Sequence, residues 1–347
     1  MSQYSATSPQ QDSAHRGVVL VSTRSEEALS GGGTMNSGGD ATGIVLSTDG
    51  EILTNNHAIS GATSVTVTDP ATGKRYRGTV AGYSVADDLA VIQLADASGL
   101  SPAPLGDSQS VRPGQRVTAV GNANGNGRLI DTAGSVLATG QTATLDGGLQ
   151  SESLKGLIIH GADVVDGDSG GPLLDANGRV VGITVGSNSE WRSSGEPITG
   201  LAIPIDGARA IAAQIRAGIP TDTVHIGPTA FLGDQADQLY LDPDARPSCT
   251  NLATAAPDGS LAPSRAGLAI PGVCVDDVAP GSPADSLGVG VDDVIVALDG
   301  RKITSYSGEI AAMTEFSPGQ SIRVDWISSA DGRPHHGTVT LAYGPPL

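Results

Sequence analysis

Runs of Val, Ile and Leu alternating with Thr, Ser or Gly recur over the first two-thirds of the chain. GIVLS, EILTNN, SVTVTD, GTVAGYS and DLAVIQL form one group, ending near residue 96. RVTAVGN, GSVLATGQ, GLIIHGA, GPLLD, RVVGITVG and GLAIPI form a second. A period of two in β-branched residues marks strands with one face buried. Asp49-Gly50 stands between two such runs as a hairpin signal, and Asn177-Gly178 forms the tip of another hairpin. The stretch ASGLSPAPLGDSQSVRPGQ has loop composition and divides the groups. Two clusters of about six short strands predict a mostly β fold, either two packed barrels or a sandwich.

The period then changes. DGARAIAAQIRAG places Asp206 as an N-cap, Ile211 and Ile215 on one helix face and Gly218 as the stop, with Pro220 beyond. The helix closes a domain running from residue 16 to 218, and 219–224 reads as a linker. The remainder, 225–347, has strands in VCVDDV, DVIVALD, SIRVDWI and GTVTLA and helices in SPADSLG and YSGEIAAMTEF, which is a second small domain. The polar start, residues 1–15, predicts a disordered arm. It lacks the basic-then-apolar pattern of an export signal, as a mature form without its leader would.

Acidic residues outnumber basic ones by 37 to 19, and the net charge of −18 argues against nucleic acid or an anionic membrane as partner. No run is long and apolar enough to span a bilayer. Cys249 and Cys274 are either a disulfide in an oxidising compartment or two buried thiols.

GDSGGP, Gly167 to Pro172, is the stretch with chemical content. A serine hydroxyl is inert at neutral pH unless a base lies within hydrogen-bond reach. His57, at the junction after EILTNN, is the candidate base. Asp87 and Asp88 precede the strand LAVIQL, where an aspartate can orient an imidazole. The N–H groups of Gly167 and Ser169 are candidate donors to an oxyanion. Each signal is weak alone, since histidines near strand ends and Gly-Asp-Ser-Gly turns are common. Their joint order, His then Asp then Ser, is far rarer.

TNNHAISGA, DDLAV and GDSGGPL, in this order, resemble the trypsin-fold proteases of the high-temperature-requirement (HtrA, Deg) type. GSPADSLGVGVDDVIVALDGRKI resembles their PDZ segment, and TVHIGPTAFLG with VTLAYGPP is similar to secreted actinobacterial members. The resemblance implies a chymotrypsin-like double β-barrel followed by a PDZ domain. It also implies a serine endopeptidase acting on unfolded or partly folded proteins outside the cytoplasm, extracellular or at the cell envelope, through an acyl-enzyme and with no cofactor or metal. The triad falls on His57, Asp88 and Ser169, with Asp88 preferred over Asp87 because the family's aspartate directly precedes a Leu-Ala pair. Gly167 and Ser169 take the oxyanion-hole role. Family members are often homotrimers. An inactive protease-like binding module, or a holdase acting through its PDZ domain, is the alternative.

The pattern departs from the family in places. Asp168 stands where many members carry Asn, and is expected to make local hydrogen bonds or to hold a regulatory loop. Asp163, six residues before Ser169, is at the offset where trypsins bind Lys or Arg, although a solvated loop carboxylate is the favoured reading. In that case Val164 with Thr184, Val185, Gly186 and Ser187 lines a small apolar pocket. The PDZ carboxylate-binding loop maps to Phe231, Leu232 and Gly233, and would take peptide C-termini. Asp234 follows it, with a charge that opposes an incoming carboxylate. An insertion at about 235–271 separates this loop from the rest, and a Cys249–Cys274 bridge would tether it, worth on the order of 3 kcal/mol. GNANGNG (Gly121–Gly127) reads as a flexible surface loop, His160 as a strand residue of the second barrel, His335-His336 as a hairpin tip and Trp191 as a loop anchor.

Overall fold

The computed structural model describes residues 5–6, 15–28, 34–147, 150–187, 199–235 and 272–347. Trp191, Cys249 and most of the expected insertion lie outside these residues.

Six strands, β2 (Val18–Ala28), β3 (Thr34–Val45), β4 (Glu51–Thr54), β5 (Ser64–Thr68), β6 (Arg75–Ser84) and β7 (Leu89–Leu94), pair antiparallel in the order β6-β5-β2-β3-β4-β7. The β6–β7 pairing closes them into a barrel. Six more, β8 (Arg116–Gly121), β9 (Ile130–Gly147), β10 (Gln150–His160), β11 (Pro172–Leu174), β12 (Val180–Ser187) and β13 (Gly200–Pro204), run β9-β10-β13-β12-β11-β8 and close through β8–β9. Closure removes the unpaired edges that an open sheet of this size exposes. The sequence left a sandwich open, and the two closing pairings decide for barrels.

Alternating burial follows the expected period. In β5, SVTVT, Val65 and Val67 are buried while Ser64 is exposed. The first barrel is filled by Val21, Ile52, Val67 and Ile92 and the second by Val117, Val136, Ile158 and Leu173. A third cluster, including Leu53, Leu89, Val120 and Leu154, lies where the barrels and the helix α1 (Ile205–Arg216) meet.

Two expectations fail at this level. Asp206 does not cap α1, which begins directly after β13 at Ile205. Its carboxylate lies in the first turn, favourable to the helix dipole, and accepts from Ser108 N–H (3.0 Å) and Oγ (2.8 Å). The N-terminal arm is not wholly free either. β1 (Ser5–Ala6) pairs with Asp131 and Ile130 of β9, and His15 is buried against Asp131.

After Gly218 (φ +66°) the chain returns to the first barrel, where β14 (His225–Ile226) pairs with β6. The expected start of the second domain therefore lies within a strand of the first barrel's sheet. The second domain holds β15 (Thr229–Phe231), β16 (Asp234–Gln235), β17 (Val273–Cys274), β18 (Asp277–Val278), α2 (Pro283–Leu287), β19 (Val294–Leu298), β20 (Arg301–Lys302), α3 (Tyr306–Met313), β21 (Ser321–Ile327), β22 (Pro334–Thr340) and β23 (Ala342–Gly344). Ser282 caps α2 and Gly288 (φ +77°) ends it. Its core includes Leu232, Val275, Ile295, Leu298 and Val324. His335 and His336 lie inside β22 and not at a hairpin tip: the tight turn falls at 328–333, and the His335 ring stacks on Trp326 at 5.7 Å. Cys274 is disulfide-bonded.

The two domains meet through specific bonds. Tyr83 Oη lies 3.1 Å from Thr229 Oγ1, and within the first barrel's sheet the Tyr83 ring packs on His225 at 5.0 Å. His225 Nδ1 reaches the carbonyl of Thr314 at 3.1 Å.

Candidate active site

Asp88 is fully buried between β6 and β7 and adopts φ +48°. That left-handed conformation is uncommon for a residue with a Cβ, though Asp tolerates it. It turns both carboxylate oxygens onto one residue. Oδ1 accepts the His57 backbone N–H at 2.8 Å, and Oδ2 lies 2.8 Å from His57 Nδ1. Asn55 Nδ2 donates to the Asp88 carbonyl at 2.8 Å, so the aspartate is held from both ends. A carboxylate on Nδ1 keeps the proton there and leaves Nε2 as the basic nitrogen. Asp87 turns away and accepts from Ser84 Oγ at 2.7 Å. The structure thus brings Asp88 to His57 and leaves Asp87 out.

Ser169 arrives from the second barrel. Its carbonyl accepts from Thr42 N–H at 2.8 Å, and Gly170 N–H donates to Thr184 at 2.9 Å. Gly170 sits at φ +81°, where a Cβ would lie 2.1 Å from the Thr42 carbonyl oxygen and 2.2 Å from Thr54 Oγ1. Only glycine fits so close an approach. His57, Gly167 and Ser169 line one cleft of about 350 Å³ between the barrels.

The peptide before Gly167 is oriented by two residues that carry no motif. The Asp166 carbonyl accepts from Asn124 N–H at 2.6 Å, and in a trans peptide this turns the Gly167 N–H the opposite way. Asn124 reaches that position in the left-handed region, at φ +57°. Thr42 Oγ1 donates to the Gly167 carbonyl at 2.7 Å and accepts from Asn122 N–H at 2.9 Å. Neither the Gly167 nor the Ser169 N–H has a hydrogen-bond partner among the described residues. GNANGNG is therefore a brace and not a loose surface loop. Its own bonds include Gly127 N–H to Asn122 Oδ1 (2.8 Å) and Asn126 Nδ2 to the Ala123 carbonyl (2.8 Å). Only the left-handed tendency of Asn and Gly hinted at this in the sequence.

Asp168 is buried beside Ser169. One oxygen accepts from Val165 N–H at 3.0 Å and the other has no partner among the described residues. Burial pushes its carboxyl up to about 6, helped by the nearby charge of Asp166 and opposed by the Val165 bond. His160, the last residue of β10, is fully buried with both ring nitrogens unpartnered among the described residues, and burial pushes it down to about 4. Of the expected pocket residues, Val164, Thr184 and Val185 are buried, while Asp163, Gly186 and Ser187 are half-buried. None of the six lines the cleft that holds His57 and Ser169.

In the second domain Leu232 is buried and Gly233 adopts φ +93°, where a Cβ would lie 2.1 Å from that of Ser282. The Leu232 and Gly233 N–H groups are unpartnered among the described residues, while their carbonyls accept from Ala284 and Ala279 at 2.8 Å. Phe231 continues the pairing of β15 with β23. The Asp234 carboxyl hydrogen-bonds that of Glu309 on α3, and burial raises both. No cluster of His, Cys, Asp and Glu suited to a metal occurs among the described residues.

Residues 41–183 match the trypsin-like peptidase domain family and residues 274–328 the PDZ domain family. HhoA of Synechocystis sp., which carries a serine protease name, is 34% identical over 269 residues, covering 77% of this chain and 61% of HhoA. The periplasmic pH-dependent serine endoprotease DegQ of Escherichia coli is 28% identical over 300 residues, covering 86% of this chain and 58% of DegQ. The chain thus spans about three-fifths of the length of these curated relatives. The solved structure of the HtrA-type protease AlgW with a decapeptide superposes with a TM-score of 0.51 at 23% identity, covering 98% of this chain and 100% of that one. At that identity the likeness is one of fold. It places a trypsin-like double barrel before a PDZ domain in this chain, the HtrA-type arrangement.

Proposed function

We propose that this chain, a trypsin-like domain joined to a PDZ domain in the HtrA manner, is a serine endopeptidase that cleaves unfolded or partly folded proteins. Ser169 Oγ attacks the peptide carbonyl while His57 Nε2 takes its proton, and Asp88 holds the imidazole and stabilises the cation that forms. The Gly167 and Ser169 N–H groups stabilise the oxyanion. His57 then returns the proton to the leaving amine, and a water activated by the same imidazole hydrolyses the acyl-enzyme. No step calls for a metal or cofactor.

One observation carries the reading. Both oxygens of a fully buried aspartate are committed to His57, which shares a cleft with Ser169 and an unpartnered glycine N–H. A barrel kept only as a binding module has no use for that constellation.

The setting proposed is outside the cytoplasm, extracellular or at the envelope. The periplasmic name of DegQ, the disulfide at Cys274 and the similarity of TVHIGPTAFLG to secreted actinobacterial members support it. No helix among the described residues is long and apolar enough to cross a membrane. Peptides are the proposed ligands of the second domain, at the two open N–H groups of Leu232 and Gly233.

Labelling by a fluorophosphonate probe, with and without casein, tests the proposal. Wild type is expected to label and Ser169→Ala to stay blank. Folded wild-type protein that labels under neither condition would overturn it.

A further inference from the structure

The cleft that holds His57 and Ser169 has an acidic wall that peptide hydrolysis does not require. Asp40 and Asp166 both line it, together with the hydroxyl residues Ser37 and Ser60, and no Lys or Arg does. The two residues come from different barrels, and Asp40 through its side chain and Asp166 through its backbone carbonyl meet the same brace. Asp40, in β3, is held on one oxygen by Ser22 Oγ at 2.6 Å. Its other oxygen stands 2.9 Å from where a Cβ on Gly125 would lie. Asp166 is fixed through its carbonyl by the neighbouring Asn124 N–H. Neither carboxylate has a cationic partner among the described residues. Both are exposed.

The position of this wall assigns its ligand. The residues expected to receive the side chain before the scissile bond, Asp163, Val164 and Thr184 to Ser187, are absent from the lining. The lining comes instead from β2, β3 and the turn after His57, together with Asp166, Gly167 and Ser169. With Ser169 and the Gly167 N–H fixing the carbonyl, this side of the cleft receives the residues that leave as the amine product. We infer that it selects substrates with Lys or Arg within the first two positions after the scissile bond, the cation lying between Asp40 and Asp166.

The inference rests on the protease reading above and fails separately from it. Casein digested by the full chain, with Ser169→Ala as the blank, is analysed by mass spectrometry for residues flanking each cut. Lys and Arg are expected at those two positions about threefold more often than their frequency in casein, the range an exposed ion pair supports. D40N, whose side chain makes no bond to Gly167 or Ser169, is expected to lower the ratio of basic to other cuts. D40N/D166N is expected to bring it to about one, and about 0.5 M NaCl to weaken it in wild type. Ser169-dependent cuts with no such enrichment, or with an enrichment unchanged in D40N/D166N, would overturn this inference alone. Absence of any Ser169-dependent cut and of any probe labelling would overturn the protease reading as well.

Discussion

Asn56 Nδ2 donates to the Leu347 carbonyl at 3.0 Å, tying the residue before His57 to the far end of the second domain. Gly61 N–H donates to the Pro346 carbonyl at 2.8 Å, so the loop carrying His57 is held at two points. The Leu347 side chain packs against both the first barrel and the second-domain core. Just before this tail, β23 pairs with β15, which ends at Phe231 in the candidate peptide-carboxylate loop. Hydrogen bonds and the intervening backbone of residues 342–347 therefore link that loop to the turn carrying His57.

Asn56→Ala leaves the half-buried Leu347 carbonyl without this donor. A stability loss of about 1–2 kcal/mol is expected in urea melts. The rate of fluorophosphonate labelling at Ser169 is expected to fall too, because the His57 loop loses one of its two bonds to residues 346–347. A variant that melts lower but labels at the wild-type rate would make Asn56 a structural residue only.

Asp88→Asn keeps the shape of the carboxylate but loses its charge and presents a donor to His57 Nδ1. The wrong tautomer should then hold the proton on Nε2. Casein cleavage at neutral pH is expected to fall about ten-thousand-fold with the fold intact by circular dichroism. Asp87→Asn, whose side chain hydrogen-bonds Ser84 and not His57 among the described residues, should retain wild-type cleavage within a factor of about two.

Thr42→Val removes the hydroxyl that holds the Gly167 carbonyl and leaves Asn122 N–H unpartnered. The turnover number should drop by about tenfold or more, with KM changing less, since an oxyanion donor acts mainly in the transition state. Asn124→Gly, which accepts φ +57° freely, should remain active. Asn124→Val, strained there, should resemble Thr42→Val.

Asp168 and His160 oppose each other in pH dependence. The folded form keeps a proton on Asp168 between 3.8 and about 6 that the unfolded chain has lost, so stability falls as pH rises through that window. The unfolded chain protonates His160 first between 6.5 and about 4, so stability falls as pH drops there. In Asp168→Asn the first effect is gone. Thermal melts are expected to show a midpoint higher by about 2–4 °C at pH 7 and a steeper loss on acidification than wild type. Superimposable pH profiles would show that burial does not perturb Asp168.

Strand periodicity, the hairpins at Asp49-Gly50 and Asn177-Gly178, and the order of His57, Asp88 and Ser169 were legible in the chain. Each depends on neighbours a few residues apart or on side chains with few chemical equivalents. Periodicity could not distinguish barrels from a sandwich, because closure rests on pairings such as Arg116 with Ser135 that leave no local trace. A favourable residue type misled at Asp206, where a bond to Ser108, 98 positions away, outcompeted the cap. Thr42 and Asn124 were invisible as site residues. A threonine in a strand and an asparagine in a glycine-rich turn are ordinary until packing of the two barrels sets one under the Gly167 carbonyl and the other against that of Asp166. The sequence by itself determined which groups are available for chemistry. Tertiary structure decided which backbone donors face the cleft, because that orientation is set by hydrogen bonds between residues distant in the chain.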